Sequence, residues 1–351
     1  LSDRSKSSPR GTLFCSISAQ WDNLGDVEIR RTILDLLSDQ FDKQAIYCGS
    51  MPIDYVAMFS SGTHVKFYSK YMPFLCALLL EISKGRASLL FAPGPVLMVA
   101  NVQALLKSVS LVLVVMMVRR RGGQVLAIGR SLRGVSSLAL AIERTLQKFC
   151  TVYTLRDGVS ASLLGVDTVV APDIAFANVP RAPTTERNVI GISLRYDRPP
   201  DLVLLTKVIR DCEESEKTPI FVSQVKRDDE QHRYLADFFG CSALLWGDKS
   251  HSDQFAVVMN LYERAHTVIS DRLHVLILAA EAGAFPIEIK TAASDKIQST
   301  VSRWLDVPVL NHVAEFGRLN FLDGRDEERG RQIDGLRAVQ LEVLKSVGPK
   351  Y

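Results

Sequence analysis

Residues 266–274 read His266-Thr267-Val268-Ile269-Ser270-Asp271-Arg272-Leu273-His274. His266 to Ile269 make a short, largely β-branched run that reads as a buried strand, and 275–282, rich in Ala and Leu, has the composition of a buried helix. Ser270 to His274 therefore occupy a strand-to-helix turn. In an open α/β sheet such turns lie at the carboxyl ends of the strands, where helix N-termini present unpaired N–H groups and a partial positive charge. An anion suits that position. Arg272 offers a planar fork for a carboxylate or phosphate, and His274 exchanges protons near neutral pH. The same residues also permit a structural reading, with Arg272 paired to Asp271 or Glu281 and His274 bonded to a carbonyl in the core.

Outward from this turn, strands and helices alternate. Strand patterns at 189–194, 219–223, 243–246 and 285–289 are separated by helix patterns at 202–213, 229–239, 253–264 and 295–305, and Arg195 follows the first of the strands. A long helix at 327–347 closes the chain. The first half repeats the scheme, with strands expected at 12–17, 45–48, 55–59, 87–92, 124–129, 151–154 and 168–171. Helices are expected at 27–37, 72–82, 102–118, 136–149 and 161–164, and Pro93-Gly94-Pro95 reads as a turn. Such alternation implies mainly parallel sheets covered on both faces.

The 351 residues exceed what one core usually organises. Residues 178–188, with Pro180, Pro183 and two Thr, have linker chemistry. The expectation is an α/β chain of two Rossmann-like domains, 1–180 and 181–351, facing a central cleft in the GT-B-like manner, with the last helix crossing back to the first domain. The cleft rests on fold-level analogy, which says little about chemistry.

Composition narrows the function classes. Hydrophobic residues make up 47% and charged residues 23%, and a net charge of +3 without a basic stripe interleaved with aromatics gives no reason to expect nucleic acid. Arg119-Arg120-Arg121 reads as a helix end, where cations complement the dipole. Six cysteines lack any C-x-x-C spacing and fit reduced thiols in the cytoplasm, and Leu1 to Arg10 precede no signal-type apolar segment. Neither a metal nor a cofactor is expected, because the histidines and carboxylates show no ligand spacing. Residues 89–118 are the most apolar region, but Pro93, Gly94, Pro95, Asn101, Gln103 and Lys107 interrupt it short of the ~20 residues of a membrane span. A buried helix is expected there, with peripheral contact at the inner membrane face as the second reading.

Near the N-terminus, Asn23-Leu24-Gly25-Asp26 opens the first helix. Gly25 would let the backbone approach a ligand closely and Asp26 is a natural helix cap, but the G-x-G-x-x-G spacing is absent, so no dinucleotide is inferred.

Four motifs recur in order: Asn23-Leu24-Gly25-Asp26; Leu155-Arg156-Asp157-Gly158-Val159-Ser160 with Leu163-Leu164-Gly165-Val166 and Pro172-Asp173; Gly191-Ile192-Ser193-Leu194-Arg195; and Ser270-Asp271-Arg272-Leu273-His274 with Ala279-Ala280-Glu281-Ala282-Gly283. Together they resemble the polysaccharide pyruvyl transferase family over roughly residues 12–290. Residues 64–86 and 93–95 match its pattern less closely. The resemblance implies transfer of pyruvate from phosphoenolpyruvate to two hydroxyls of a sugar, giving a cyclic ketal on a cell-surface polysaccharide or glycolipid. It also implies that Arg156 on the acceptor side, and Arg272 and His274 on the donor side, fall on donor-binding and catalytic positions, with Leu273 lending backbone contacts.

The partners so implied are phosphoenolpyruvate and a saccharide or lipid-linked saccharide acceptor. A donor with both a carboxylate and a phosphate suits two arginines as a clamp, and ketal formation needs a general acid, for which His274 is the candidate. Arg195 would support the phosphate or serve the fold, and Ser270, Asn23, Gly25 and Asp26 complete the substrate-contact candidates. Asp26 or Asp173 would act as base toward a hydroxyl, or serve structure alone. His251 and His266 carry no motif and read as surface or core residues. Two other functions remain open: a nucleotide-sugar glycosyltransferase with Arg272 on the diphosphate, and a non-catalytic sugar-binding protein.

Overall fold

The computed structural model describes residues 11–60, 64–99, 101–134, 136–178, 187–290, 296–310, 326–345 and 347. The chain divides into two compact units. The first takes in the residues up to Ala19, Ile29–Ile174 and those from Gln340 onward; the second takes in Gln20–Glu28 and Ala175–Val339. The main division thus falls between Ile174 and Ala175, and of the expected linker 178–188 the stretch 179–186 lies outside the described residues.

The first unit alternates β1 (Thr12–Ser16), α1 (Leu24–Leu37), β2 (Lys43–Tyr47), α2 (Ile53–Ala57), β3 (Val65–Tyr68), α3 (Tyr71–Ser83) and β4 (Ala87–Phe91). It continues through β5 (Gly94–Leu97), α4 (Val102–Arg120), β6 (Val125–Arg133), α5 (Ser137–Phe149), β7 (Val152–Leu155), α6 (Gly158–Leu164) and β8 (Val169–Val170). Its strands pair in the order β3-β2-β1-β4-β6-β7-β8, all parallel, with β5 pairing beside β6. The first turn of α1, Leu24–Glu28, is assigned to the second unit.

The second unit runs β9 (Val189–Ser193), α7 (Leu202–Glu214), β10 (Thr218–Val222), α8 (Asp229–Phe239), β11 (Ser242–Leu244) and α9 (His251–Arg264). Then come β12 (Ala265–Ser270), α10 (Leu273–Glu281), β13 (Phe285–Ile289), α11 (Lys296–Val301), β14 (Val309–Leu310) and α12 (Asp326–Lys345). The strand order β11-β10-β9-β12-β13-β14, parallel throughout, is the doubly wound arrangement of a Rossmann domain. Helix α12 is assigned to the second unit as far as Val339 and to the first from Gln340, whose side-chain amide donates to the Pro172 carbonyl.

Local signals explain these elements. Asp201 caps α7 by accepting from the Leu204 amide at 3.0 Å, Ser250 caps α9 through the Asp253 amide at 3.2 Å, and α8 ends at Gly240 with φ +66°. Gly191 in β9 lets the sheet meet α9 closely, since a Cβ there would lie 3.2 Å from side-chain atoms of both Leu261 and Val268. Ile192, Leu205, Val208, Phe221, Leu235 and Ile269 knit β9, β10 and β12 to α7 and α8 in one core.

Three sequence expectations are corrected. Residues 55–59 are not a strand: Pro52 precedes α2, and only Tyr55 and Phe59, four apart, are buried, which is helical spacing. The Pro93-Gly94-Pro95 turn continues directly into β5, an added parallel strand. Helix α4 is not buried. Among its residues only Val115 and Val118 are, and Val102 and Leu106 stand 71% and 63% exposed.

Tyr55 closes the first unit's β1 end by donating its hydroxyl to the Ile17 carbonyl at 2.5 Å in a buried setting. Tyr55→Phe leaves that carbonyl without the phenol, so urea unfolding of the variant is expected to show a loss of about 1–3 kcal/mol, and an unchanged midpoint would contradict the role assigned to the hydroxyl.

Candidate active site

In a doubly wound sheet, ligands bind beyond the carboxyl ends of the strands at the point where strand order reverses. In the second unit that point is the β9/β12 pair, because β10 and β11 extend to one side and β13 and β14 to the other. The register sets Ser193 opposite Ser270 at the strand ends. The Ser270 hydroxyl donates to the Ser193 carbonyl at 2.6 Å and accepts from the Arg272 amide at 2.9 Å. Fully buried, Ser270 thus ties the β12–α10 turn to β9.

Arg272 is the N-cap residue of α10, in extended backbone (φ −112°, ψ 122°). Its guanidinium donates to Asp228 Oδ1 at 2.6 Å, and its Nε finds no hydrogen-bond partner among the described residues. Asp228, at the start of α8, is fully buried and also accepts from the Tyr196 amide at 3.0 Å. Burial raises its carboxyl above the ordinary carboxylate range against the opposing pull of Arg272. The sequence alternatives for Arg272, Asp271 and Glu281, are therefore not its hydrogen-bonded partner.

Asp271 accepts from the Arg195 amide at 3.0 Å and lies 3.4 Å from Arg198. Arg195 makes a two-pronged pair with Asp197 at 2.8 and 2.6 Å, which holds Asp197 down to about 2. Three guanidinium groups (Arg195, Arg198, Arg272) and three carboxylates (Asp197, Asp228, Asp271) thus gather around the ends of β9 and β12. Arg198, Asp197 and Asp228 escaped sequence reading, since nothing in a linear pattern links residue 228 to residue 272.

His274 lies in the first turn of α10, 12% exposed at its side chain, with Nδ1 4.0 Å from Asp26 Oδ1. Its neighbour across the gap is the backbone of Gly25. A Cβ on Gly25 would stand 2.3 Å from His274 Cβ and 2.7 Å from Nδ1, distances that no packed side chain tolerates. The reason for glycine here is therefore the imidazole, whereas the sequence reading reserved that space for a ligand. Asn23 Oδ1 accepts from the Gly25 amide at 3.1 Å and its carbonyl accepts from the Asp26 and Val27 amides, so Asn23 caps α1. The segment is fastened by an isolated antiparallel bridge between Asn23 and Val225, by Arg227 to Asp22 at 2.5 Å, and by His251 Nε2 to the Trp21 carbonyl at 2.7 Å. Leu273 is buried as the first helical residue of α10.

Behind Arg272 sits His232, which sequence reading passed over as one polar position of α8. It is fully buried. Nε2 accepts from the Leu194 amide at 2.8 Å, so the proton resides on Nδ1, which faces Ser223 Oγ at 2.9 Å. The ring therefore joins the carboxyl ends of β9 and β10. Burial, helped by the charge of Arg272, lowers its pKa to about 3.

Arg156 and Asp173 belong to the first unit. Arg156 follows β7, is 2% exposed, and pairs with Asp173 Oδ2 at 2.8 Å. Asp173 is thus engaged by Arg156, in keeping with the structural alternative for that carboxylate. The adjacent Asp157 caps α6 through the Ser160 amide at 2.8 Å and accepts from the Ser131 hydroxyl at 2.7 Å.

Comparison with known structures defines the class. UGT2 of Phytolacca americana, solved with UDP-2-fluoro-glucose and pterostilbene, superposes with TM-score 0.55 at 9% identity over 98% of this chain and all of that one. A UDP-N-acetylglucosamine 2-epimerase gives TM-score 0.56 at 9% identity over 97% and 96% of the two chains. Anabaena Alr3699/HepE, with UDP and glucose, gives 0.52 at 11% identity over 96% of each. At these identities the likeness is one of fold: this is an α/β protein of GT-B-like architecture built from two Rossmann-like units. No curated protein matches by sequence.

The family model for polysaccharide pyruvyl transferase matches residues 104–284, just over half of the chain. The chain belongs to the polysaccharide pyruvyl transferase family. The matched stretch includes Arg156, Arg195, Arg272 and His274 and stops short of the Asn23–Asp26 segment.

Two outcomes test this geometry. Gly25→Ala is expected to cost about 1–3 kcal/mol of stability and to shift the His274 ring resonances, because one of the two groups must move; wild-type stability with unmoved resonances would contradict the packing. His232 has a folded pKa far below its unfolded value of 6.5, so the unfolded chain binds the extra proton between about 3 and 6.5. Its contribution to stability is present above pH 6.5 and is lost as pH falls toward 3. His232→Gln should remove that slope from the pH dependence of unfolding.

Proposed function

We propose that this protein transfers the pyruvyl group of phosphoenolpyruvate onto two hydroxyls of a saccharide or lipid-linked saccharide in the cytoplasm, closing a cyclic ketal. The observation that supports the reading is the placing of Arg272 and His274 on one strand-to-helix turn at the switch point of a Rossmann-like sheet, inside the stretch that matches the family.

The donor is a small dianion or trianion. Arg272 is fixed by Asp228 in one orientation and retains a buried Nε–H, and the N-terminus of α10 adds backbone donors, a combination suited to carboxylate or phosphate oxygens. Arg195 and Arg198 add positive charge beside it, and Arg156 of the first unit is the further arginine that the family resemblance puts on a donor-binding or catalytic position. In the reaction, protonated His274 gives its proton to the methylene carbon of phosphoenolpyruvate, and the neighbouring carbon becomes electrophilic. The first sugar hydroxyl attacks that carbon and gives up its proton. The carbon–oxygen bond to phosphate breaks, and the second hydroxyl closes the ring. Of the two hydroxyl protons one replaces the proton spent by His274 and the other leaves with phosphate, so charge and atoms balance. Asp26, near the imidazole, is suited to orient it and to receive a hydroxyl proton.

The test is incubation of the protein with phosphoenolpyruvate and saccharide acceptors, followed by mass spectrometry for an added carboxyethylidene group and assay of released phosphate. Equimolar phosphate and ketal are expected. His274→Ala should lower kcat/KM by about a hundredfold or more with folding retained, and Arg272→Ala by roughly ten- to a hundredfold for the lost charge-assisted pair, together with a loss of stability from unpaired, buried Asp228. Saturable binding of uridine diphosphate without any pyruvyl transfer would overturn the proposal in favour of a nucleotide-sugar glycosyltransferase.

A further inference from the structure

Helix α4 presents an unusual face. Val102, Leu106, Val109, Leu113 and Met117 are all exposed, and their spacing of three and four residues aligns them in one stripe along the helix. Beside it α3 exposes Met72, Leu79 and Leu80. Both helices pack on the same core, where Leu78 and Ile82 of α3 meet Val115 and Val118 of α4 over β1, β4 and β6. The exposed residues therefore sit on two helices that share one core, and an apolar surface on such elements marks an interaction site.

Charge decides what it meets. From residue 82 to residue 142 the chain holds eight Lys and Arg and no Asp or Glu. Arg130 and Arg133 are taken up by Glu143 and Asp157, and Lys84 and Arg86 by Glu81. Lys107 within α4 and Arg119, Arg120 and Arg121 at its end remain exposed alongside the apolar stripe. An apolar strip edged by cations with no anion among them is complementary to the headgroup layer of an anionic membrane. A second copy of the chain would bring the same cations and, within this stretch, no carboxylate to meet them.

We propose that α3 and α4 seat the protein on an anionic phospholipid surface, with α4 lying in the interface and Arg119–Arg121 on the headgroups. Helix α4 is long and apolar enough to cross a bilayer. Its connections argue for lying flat: β5 before it and β6 after it pair in one sheet, and Val115 and Val118 are buried against that sheet, so threading the helix across a membrane would tear it from its own core. Such seating would bring the protein to acceptors carried on lipid, yet it stands on the surface chemistry alone, independently of the reaction proposed above.

Co-sedimentation of the full chain with vesicles tests it, in the absence of phosphoenolpyruvate and sugar, so that a failure here is separate from a failure of the pyruvyl-transfer reading. Binding is expected to mixed phosphatidylcholine–phosphatidylglycerol vesicles, weakening steeply with added salt, and to be far poorer to pure phosphatidylcholine. The triple variant Arg119→Glu, Arg120→Glu, Arg121→Glu should bind on the order of a hundredfold more weakly, from the contribution of three basic residues near the surface. The double variant Leu106→Glu, Leu113→Glu should lose binding even at low salt. Circular dichroism melts matching the wild type would show that both variants fold. No binding to the anionic vesicles, binding by either variant as strong as that of the wild type, or a lipid-free dimer that the double variant dissolves would each overturn the proposal.

Discussion

The ion pair between Arg272 and Asp228 is the constraint on which the second unit's site depends. Asp228 is fully buried and its ionised form is disfavoured by that burial, so it is tolerable as a charge only with the guanidinium 2.6 Å away. Arg272 in turn would swing freely as the N-cap of α10 without a fixed acceptor. The pair binds the start of α8 to the start of α10, two helices that follow different strands, and it sets the direction in which the remaining donors of Arg272 are offered. Asp271, buried on the same turn, does similar work for the loop after β9 through the Arg195 amide.

Around that pair the polar groups fall into those that are fully buried or bonded to backbone and those that keep some exposure. Ser270, Asn23 and His232 are each committed to backbone: Ser270 to β9, Asn23 to the first turn of α1, His232 to the Leu194 amide. A neutral imidazole behind Arg272 provides an acceptor without adding a second positive charge to a crowded cationic region. Arg272 and His274 differ in that each retains partial exposure, 11% and 12% at the side chain. Gly25 completes the arrangement by its lack of a side chain, since the imidazole fills the volume that a Cβ would take.

The first unit shows a different balance. Arg156 and Asp173 pair with each other in a dry setting, where a lone charge would be costly, and Asp157 and Ser160 close the next turn. The same unit leaves much of α3 and α4 apolar and exposed, at odds with the ordinary economy of a soluble surface.

How much of this was legible in the chain depends on the range of the interaction. Alternating strand and helix patterns are local, so the sequence alone determined two parallel α/β series, the limits of α8 and β13 and the strand-to-helix turn at Ser270–His274. Family motifs, being short and ordered, were equally readable. The helix at Ile53–Ala57 was misread because five residues hold too little periodicity to separate two from three and a half, and only the burial of Tyr55 and Phe59 decides it. Burial of α4 was misjudged for a related reason: composition reports how apolar a helix is, not whether anything covers it. The partners of Arg272, the tautomer of His232 and the purpose of Gly25 depend on atoms tens or hundreds of residues apart in sequence, brought together by strand order and helix packing. Tertiary structure alone decided them, because hydrogen bonds and van der Waals contacts act over a few ångströms of space and are indifferent to distance along the chain.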